Sequence, residues 1–169
     1  MTRIPHTPGM VPSAAADTDR DTVVSRLNSL LRGEISAAET YRMAISKVRE
    51  SSDVPQQHVM TLQQFLSDHE EAIRSLRDHV VRLGGEPVDG SGIWGAWAKF
   101  AQGTANLFGD INALRTLREG EEHGLKEYNE GLEELDAVTR DVVVNKRIPA
   151  QEDHIRTLNG LIGALENNR

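Results

Sequence analysis

Cysteine is absent from the 169-residue chain, which excludes a disulfide framework, a zinc–thiolate site and an iron–sulfur cluster. Aromatic residues make up only 4% of it, and β-branched runs are rare; Leu, Ala, Glu and Arg fill the periodic segments instead, a composition that predicts an all-α protein. No apolar run approaches the ~20 residues of a membrane helix. The start, Met1 to His6, leads into no apolar stretch of the signal-peptide kind. A soluble, cytoplasmic protein without a membrane partner is expected. A basic excess is also missing. The formal charge is −7, which argues against a general nucleic-acid binder. The length suits one domain with its own core.

Four helices and one long connection are predicted. Residues 1–18 carry Pro5, Pro8 and Pro12 and no periodicity, the pattern of a disordered tail; the bundle is expected over 19–169. Asp19 or Asp21 is placed to cap the first helix. Its apolar stripe runs Leu27, Leu31, Glu34, Ala38, Tyr41, Ile45, Val48, in steps of three and four. Ser51 to Pro55 breaks the pattern, with Asp53 or a neighbouring Ser as cap and Pro55 in the first turn of the next helix. The second stripe is Leu62, Leu66, His69, Ile73, Leu76, Val80, Leu83, closed by Gly84-Gly85 and Pro87. These two helices form a first hairpin, about 20–84. Residues 85–110 hold six glycines with Trp94, Trp97, Phe100, Leu107 and Phe108. That is too long for a hairpin loop and predicts a crossover along the bundle. A second hairpin, about 111–167, follows. Its third helix spans roughly 110–146, with Leu114, Leu117, Glu121, Leu125 or Gly124, Tyr128, Leu132, Leu135 and Val142 inward. Pro149 then opens a fourth helix carrying Ile155, Leu158, Ile162 and Leu165.

The two hairpins repeat each other. Gly33-Glu34 precedes Tyr41, and Gly120-Glu121 precedes Tyr128, each Glu seven residues before its Tyr. Asp68-His69 in the second helix matches Asp153-His154 in the fourth. The copies stand 87 residues apart for the Glu (34 to 121) and 85 for the His (69 to 154), as an internal duplication predicts. All four residues interrupt or border apolar stripes, so Glu34, His69, Glu121 and His154 are expected in one polar core layer, with Tyr41 and Tyr128 two turns along. A buried carboxylate needs a cation or donors. Two carboxylates and two imidazoles aimed at one axis suit manganese, iron or zinc. The plain alternative is a hydrogen-bonded core Glu, a satisfied core His and a buried Tyr bonded to a carboxylate. Glu119, His123 and Glu127, at i, i+4 spacing, form either a surface metal site or, more commonly, a solvated face. His6, His58 and His79 have no evident partners. Trp94 and Trp97 suit packing of the crossover or a dimer interface.

On these residues the chain resembles known families. Gly33 to Tyr41 is similar to the first helix of rubrerythrin-type proteins, and the duplicated hairpins with a long crossover resemble the ferritin-like superfamily. Leu30 to Glu34, Asp68 to Glu70, Gly84 to Pro87 and the Gly/Trp-rich stretch from Ser91 to Trp97 are similar to a family of uncharacterised bacterial ferritin-like proteins, over about 22–166. The resemblance implies a ferritin-like four-helix bundle. It further implies iron or manganese held by Glu34, His69, Glu121 and His154, and metal oxidation, peroxide handling or stress protection as the activity. The match is incomplete. Di-iron members carry Glu-x-x-His on the second and fourth helices, whereas Leu66 and Gln151 stand three residues before His69 and His154. A bundle that has kept the fold and lost the centre, acting as a non-enzymatic structural or interaction protein, is the alternative. A homo-oligomer, a dimer before a cage, is the expected assembly.

Overall fold

The computed structural model describes residues 14–50, 55–92 and 110–167; residues 93–109, with both tryptophans, and His6 lie outside them. Every regular element among the described residues is helical. Helix α1 (Ala14–Glu50) starts before the expected Asp19 or Asp21 cap. Helix α2 (Gln56–Arg82) begins after Pro55, which occupies the N-cap in extended conformation (φ −58°, ψ 136°) and accepts from the His58 N–H. Its C-terminus closes as the glycines predict. Gly84 adopts φ +76°, its N–H returns to the Val81 carbonyl, and the Gly85 N–H returns to Val80. The chain then turns back along α1. Asn28 donates to the Glu86 carbonyl and accepts from the Val88 N–H, and Ser91 donates to Glu39 Oε2 at 2.8 Å. This is the start of the crossover.

Helix α3 (Asp110–Glu130) ends earlier than the stripe suggested. Gly131 has no Cβ to crowd the Arg26 guanidinium, which donates to the Glu127 carbonyl from the neighbouring helix. A 3₁₀ turn follows (Leu132–Glu134); Arg140 braces it, donating to Leu132 O at 2.8 Å and to Leu135 O at 3.1 Å. Asp136 then caps a new helix, α4 (Ala137–Val142), accepting from the Val138 and Thr139 N–H groups. That helix widens into a π turn (Val143–Arg147) and continues as α5 (Ile148–Asn167). Pro149 therefore lies inside a helical run instead of opening one. A proline there lacks a donor and crowds the Asn145 carbonyl, and the widened turn that includes Asn145 gives it room.

Contacts pair α1 with α2, α3 with α5 and α1 with α3, the arrangement of a four-helix bundle. Two apolar clusters fill it. One joins Ile45, Val48, Leu62, Phe65, Leu114, Leu117, Leu158 and Ile162; the other joins Leu27, Leu31, Leu76, Val80, Leu135 and Val143. Leu27, Leu31, Leu62 and Leu158 are wholly buried, each contributing about 2 kcal/mol. Every stripe residue expected on α1 is buried. On α2 the buried edge runs through Phe65, Ala72 and His79, while Leu66 and Ile73 are only partly covered. Between the two clusters lies a polar layer. No helix of the described residues is long and apolar enough to cross a membrane.

Candidate metal centre

The polar layer contains all six residues singled out in the sequence. Glu34, His69, Glu121 and His154 are 2–5% exposed, and Tyr41 and Tyr128 are 1–2% exposed. The seven-residue Glu–Tyr spacing works across the bundle, because α1 and α3 run antiparallel. Tyr41 donates to Glu121 Oε1 at 2.5 Å, and Tyr128 donates to Glu34 Oε1 at 2.5 Å. Each copy's phenol thus serves the other copy's carboxylate, the relation expected of a pseudo-two-fold axis.

The histidines link the two carboxylates. His69 Nδ1 lies 2.7 Å from Glu34 Oε2, and its Nε2 lies 3.0 Å from Glu121 Oε1. His154 Nδ1 lies 3.0 Å from the same Glu121 oxygen, and its Nε2 lies 3.2 Å from Asp68 Oδ2. The His154 ring stacks on Phe65 with centroids 3.9 Å apart, which fixes its plane. Burial alone would push the His69 imidazole down, but the charge of Glu34 and hydrogen bonds to Glu121 and Glu34 raise it to about 10. Burial would raise the Glu121 carboxyl; the hydrogen bonds of His154 and His69 outweigh it and hold it at about 2. Burial, then the adjacent carboxylate, pushes both phenols above their ordinary range, Tyr41 through Glu121 and Tyr128 through Glu34.

Among the described residues one group of three has metal-ligand geometry: His69, Glu121 and His154, each offering a donor atom within 4.8 Å of the others. Glu34 is not in that group. Both its oxygens are engaged, by Tyr128 and by the outer nitrogen of His69. Asp68 holds the outer nitrogen of His154 in the same way. A ligating histidine whose second nitrogen is held by a carboxylate is the usual outer arrangement of a metal site. Glu121 Oε2 is buried with no hydrogen-bond partner, an orphan acceptor that a cation would satisfy. Two imidazoles and one carboxylate fit a single transition-metal ion. They do not fit a carboxylate-bridged pair, because the bridging positions hold Leu66, packed on the apolar cluster, and the amide of Gln151.

The structure separates the other candidates. Glu119 and His123 are exposed, and Glu127 turns to Arg26, with 3.6 Å between Glu127 Oε2 and Nη1, so these three form no ligand group. His58 Nδ1 is buried without a partner. His79 does have one: its Nδ1 lies 2.8 Å from Thr139 Oγ1, whose proton goes to Asp136 Oδ2 at 2.5 Å. Sequence periodicity missed Phe65, which sits beside the expected stripe residue Leu66. It also gave Asp68 no fixed place; the signal was its position immediately before a core histidine.

Residues 22–134, more than half the chain, match the profile of a family described as a domain of unknown function (DUF2383). No curated protein matches the sequence. Among solved structures, one from Bacillus anthracis strain Ames, titled as ferritin-like, diiron-carboxylate proteins, superposes with a TM-score of 0.68. The alignment covers 85% of this chain and 97% of that one at 21% identity. The likeness shows the ferritin-like fold.

Proposed function

The chain belongs to the DUF2383 family and has a ferritin-like fold; from that premise we propose that it binds one divalent transition-metal ion in the bundle core, through His69 Nε2, His154 Nδ1 and Glu121. The observation that carries this is the convergence of those three buried donors, with Glu34 and Asp68 each holding the outer nitrogen of one histidine. Imidazole and carboxylate donors without thiolate suit manganese, iron or zinc, and the ferritin-like fold inclines the choice to iron or manganese. Such an ion would supply a redox couple and a Lewis acid, suited to metal oxidation or peroxide handling in a protective role. The protein's own part is to exclude water with apolar clusters on both sides. Tyr41 steadies Glu121 by donating to it, and the outer carboxylates fix which nitrogen of each imidazole faces inward.

A metal-free bundle is the second reading, and one observation favours it. Each nitrogen of both histidines faces a carboxylate oxygen, so hydrogen bonds hold both rings in place without an ion. Metal analysis of untagged, chelator-free protein from iron- and manganese-replete cells decides between them. The expected result is about one ion per chain, absent from a folded Glu121→Ala/His154→Ala variant. A folded wild type that neither retains nor takes up metal would leave the hydrogen-bonded layer as a structural device.

A further inference from the structure

Gln151 occupies the position whose chemistry excludes a bridged pair, yet it is not a bystander. It is 5% exposed, and its Oε1 is buried with no hydrogen-bond partner. Gln151 stands one turn before His154 on the same buried face of α5. Its amide packs on Gly124, one turn after Glu121 on α3. A Cβ at Gly124 would come within 2.6 Å of Gln151 Nε2, so the amide end lies close against the glycine between the helices. Contact between Glu121 and His154 forms one rung across α3 and α5; contact between Gly124 and Gln151 forms the next.

Two adjacent rungs therefore carry two buried oxygens, Glu121 Oε2 and Gln151 Oε1, that accept and have no donor. Unanswered acceptors on neighbouring turns are costly in an apolar core. A cation lodged between the two rungs would answer both, and an amide oxygen is a suitable neutral ligand for a hard divalent ion.

We propose that Gln151 is a metal-site residue whose Oε1 supplies a fourth protein donor beside Glu121, giving an N₂O₂ set of two imidazoles, one carboxylate and one amide. This rests on the metal-binding proposal above. It assigns to the chain a neutral ligand where a second carboxylate would invite a second ion. The set carries one negative charge toward a divalent cation, and the outer carboxylates of Glu34 and Asp68 lie behind the two imidazoles to supply more.

The test is titration of the chelator-stripped full chain with cobalt(II), which reports coordination through its visible bands. Wild type takes up one ion per chain. Gln151→Ala remains helical by circular dichroism, keeps that stoichiometry, binds on the order of 10-fold more weakly, and shows altered cobalt bands. Gln151→Glu separates ligation from mere space-filling. As a ligand, the new carboxylate binds cobalt at least as tightly as wild type, and cobalt raises its melting temperature more than it raises that of wild type. A Gln151→Ala protein with wild-type affinity and spectrum overturns the role of Gln151 while leaving the three-ligand site standing. A Gln151→Glu protein that is destabilised and gains nothing from cobalt also overturns it. A folded wild type that binds no cobalt overturns both this inference and the metal-binding proposal.

Discussion

Glu34 and Glu121 stand at equivalent turns of α1 and α3, but their oxygens are spent differently. Glu34 divides its work: Oε1 accepts from Tyr128, and Oε2 faces His69. Glu121 concentrates three partners, Tyr41, His69 and His154, on Oε1, and leaves Oε2 without any. The histidines differ in parallel. His69 spans both carboxylates, whereas His154 reaches Glu121 and then Asp68 instead of Glu34. Asp153, the sequence counterpart of Asp68, faces solvent and pairs with Arg156 at 2.6 Å. Duplication gives the layer its frame, and departures from symmetry gather acceptor capacity on one side. In the metal-binding reading we propose, a single ion would sit on the Glu121 side of the axis, with Glu34 as its outer support.

The largest effect that would break this comparison is at Glu121. Glu121→Ala removes the shared oxygen and leaves two buried imidazoles facing each other. We expect complete loss of metal and a destabilisation of about 3–5 kcal/mol in chelated protein, read by urea denaturation. Glu34→Gln removes an outer partner only. Stoichiometry stays near one ion per chain, and affinity falls by about 10- to 100-fold in competition against a chromophoric chelator. Equal behaviour of the two variants would place the ion on the axis. The phenols come next. Tyr128→Phe strips Glu34 of one of two partners and costs about 2 kcal/mol, while Tyr41→Phe leaves Glu121 two partners and costs about 1 kcal/mol by the same measurement.

Proton balance sharpens the same contrast. The Glu121 carboxyl is depressed to about 2, so its contribution to apo stability is complete above the ordinary carboxylate range and is lost as pH falls toward 2. His69 is raised to about 10. Its contribution is complete below the ordinary imidazole value and is lost as pH rises through 10. The charge of Glu34 is the foremost cause raising His69, so Glu34→Gln should move the alkaline limb of the apo stability curve to lower pH and leave the acid limb in place. The smallest effect separates the two aspartates. Asp153→Asn should change stability by less than about 0.5 kcal/mol and leave metal affinity untouched, whereas Asp68→Asn weakens binding through His154.

The fold and most of the layer were legible because polar residues stand out in apolar stripes. Glu34 and Glu121 sit where leucine is expected, and a repeated Glu–Tyr spacing is hard to obtain from surface chemistry. The roles were less legible. Nothing local distinguishes Glu34 from Glu121, since their difference arises from which nitrogen of His69 or His154 reaches them across the bundle. The break after Glu130 was hidden because Leu132 and Leu135 continue the stripe while the backbone has left the helix. The signals lay in Gly131 and in the Asp136–Thr139 cap. The α2 face was offset because Leu66 and Phe65 are both apolar, and only packing decides between them. His79 gained a partner from a residue sixty positions away, which periodicity does not address.

The π turn between α4 and α5 bears on how the chain tolerates change in length. Buried residues on this stretch fall at Thr139, Val143, Arg147 and Gln151, then His154 and Leu158: three successive steps of four before the alternation resumes. An unbroken α-helix would carry such a run progressively off the core, whereas a turn closed by i→i+5 bonds takes up one additional residue. The segment behaves as an insertion retained in the helix. Removing one exposed residue from it, Val144 for example, would restore an ordinary helical repeat and swing everything upstream by roughly a quarter of a turn relative to His154. The Thr139 contact with His79 and the inward aim of His154 could not both survive that swing. Mutational scanning should therefore find this short stretch permissive to substitution at its exposed positions and intolerant of deletion.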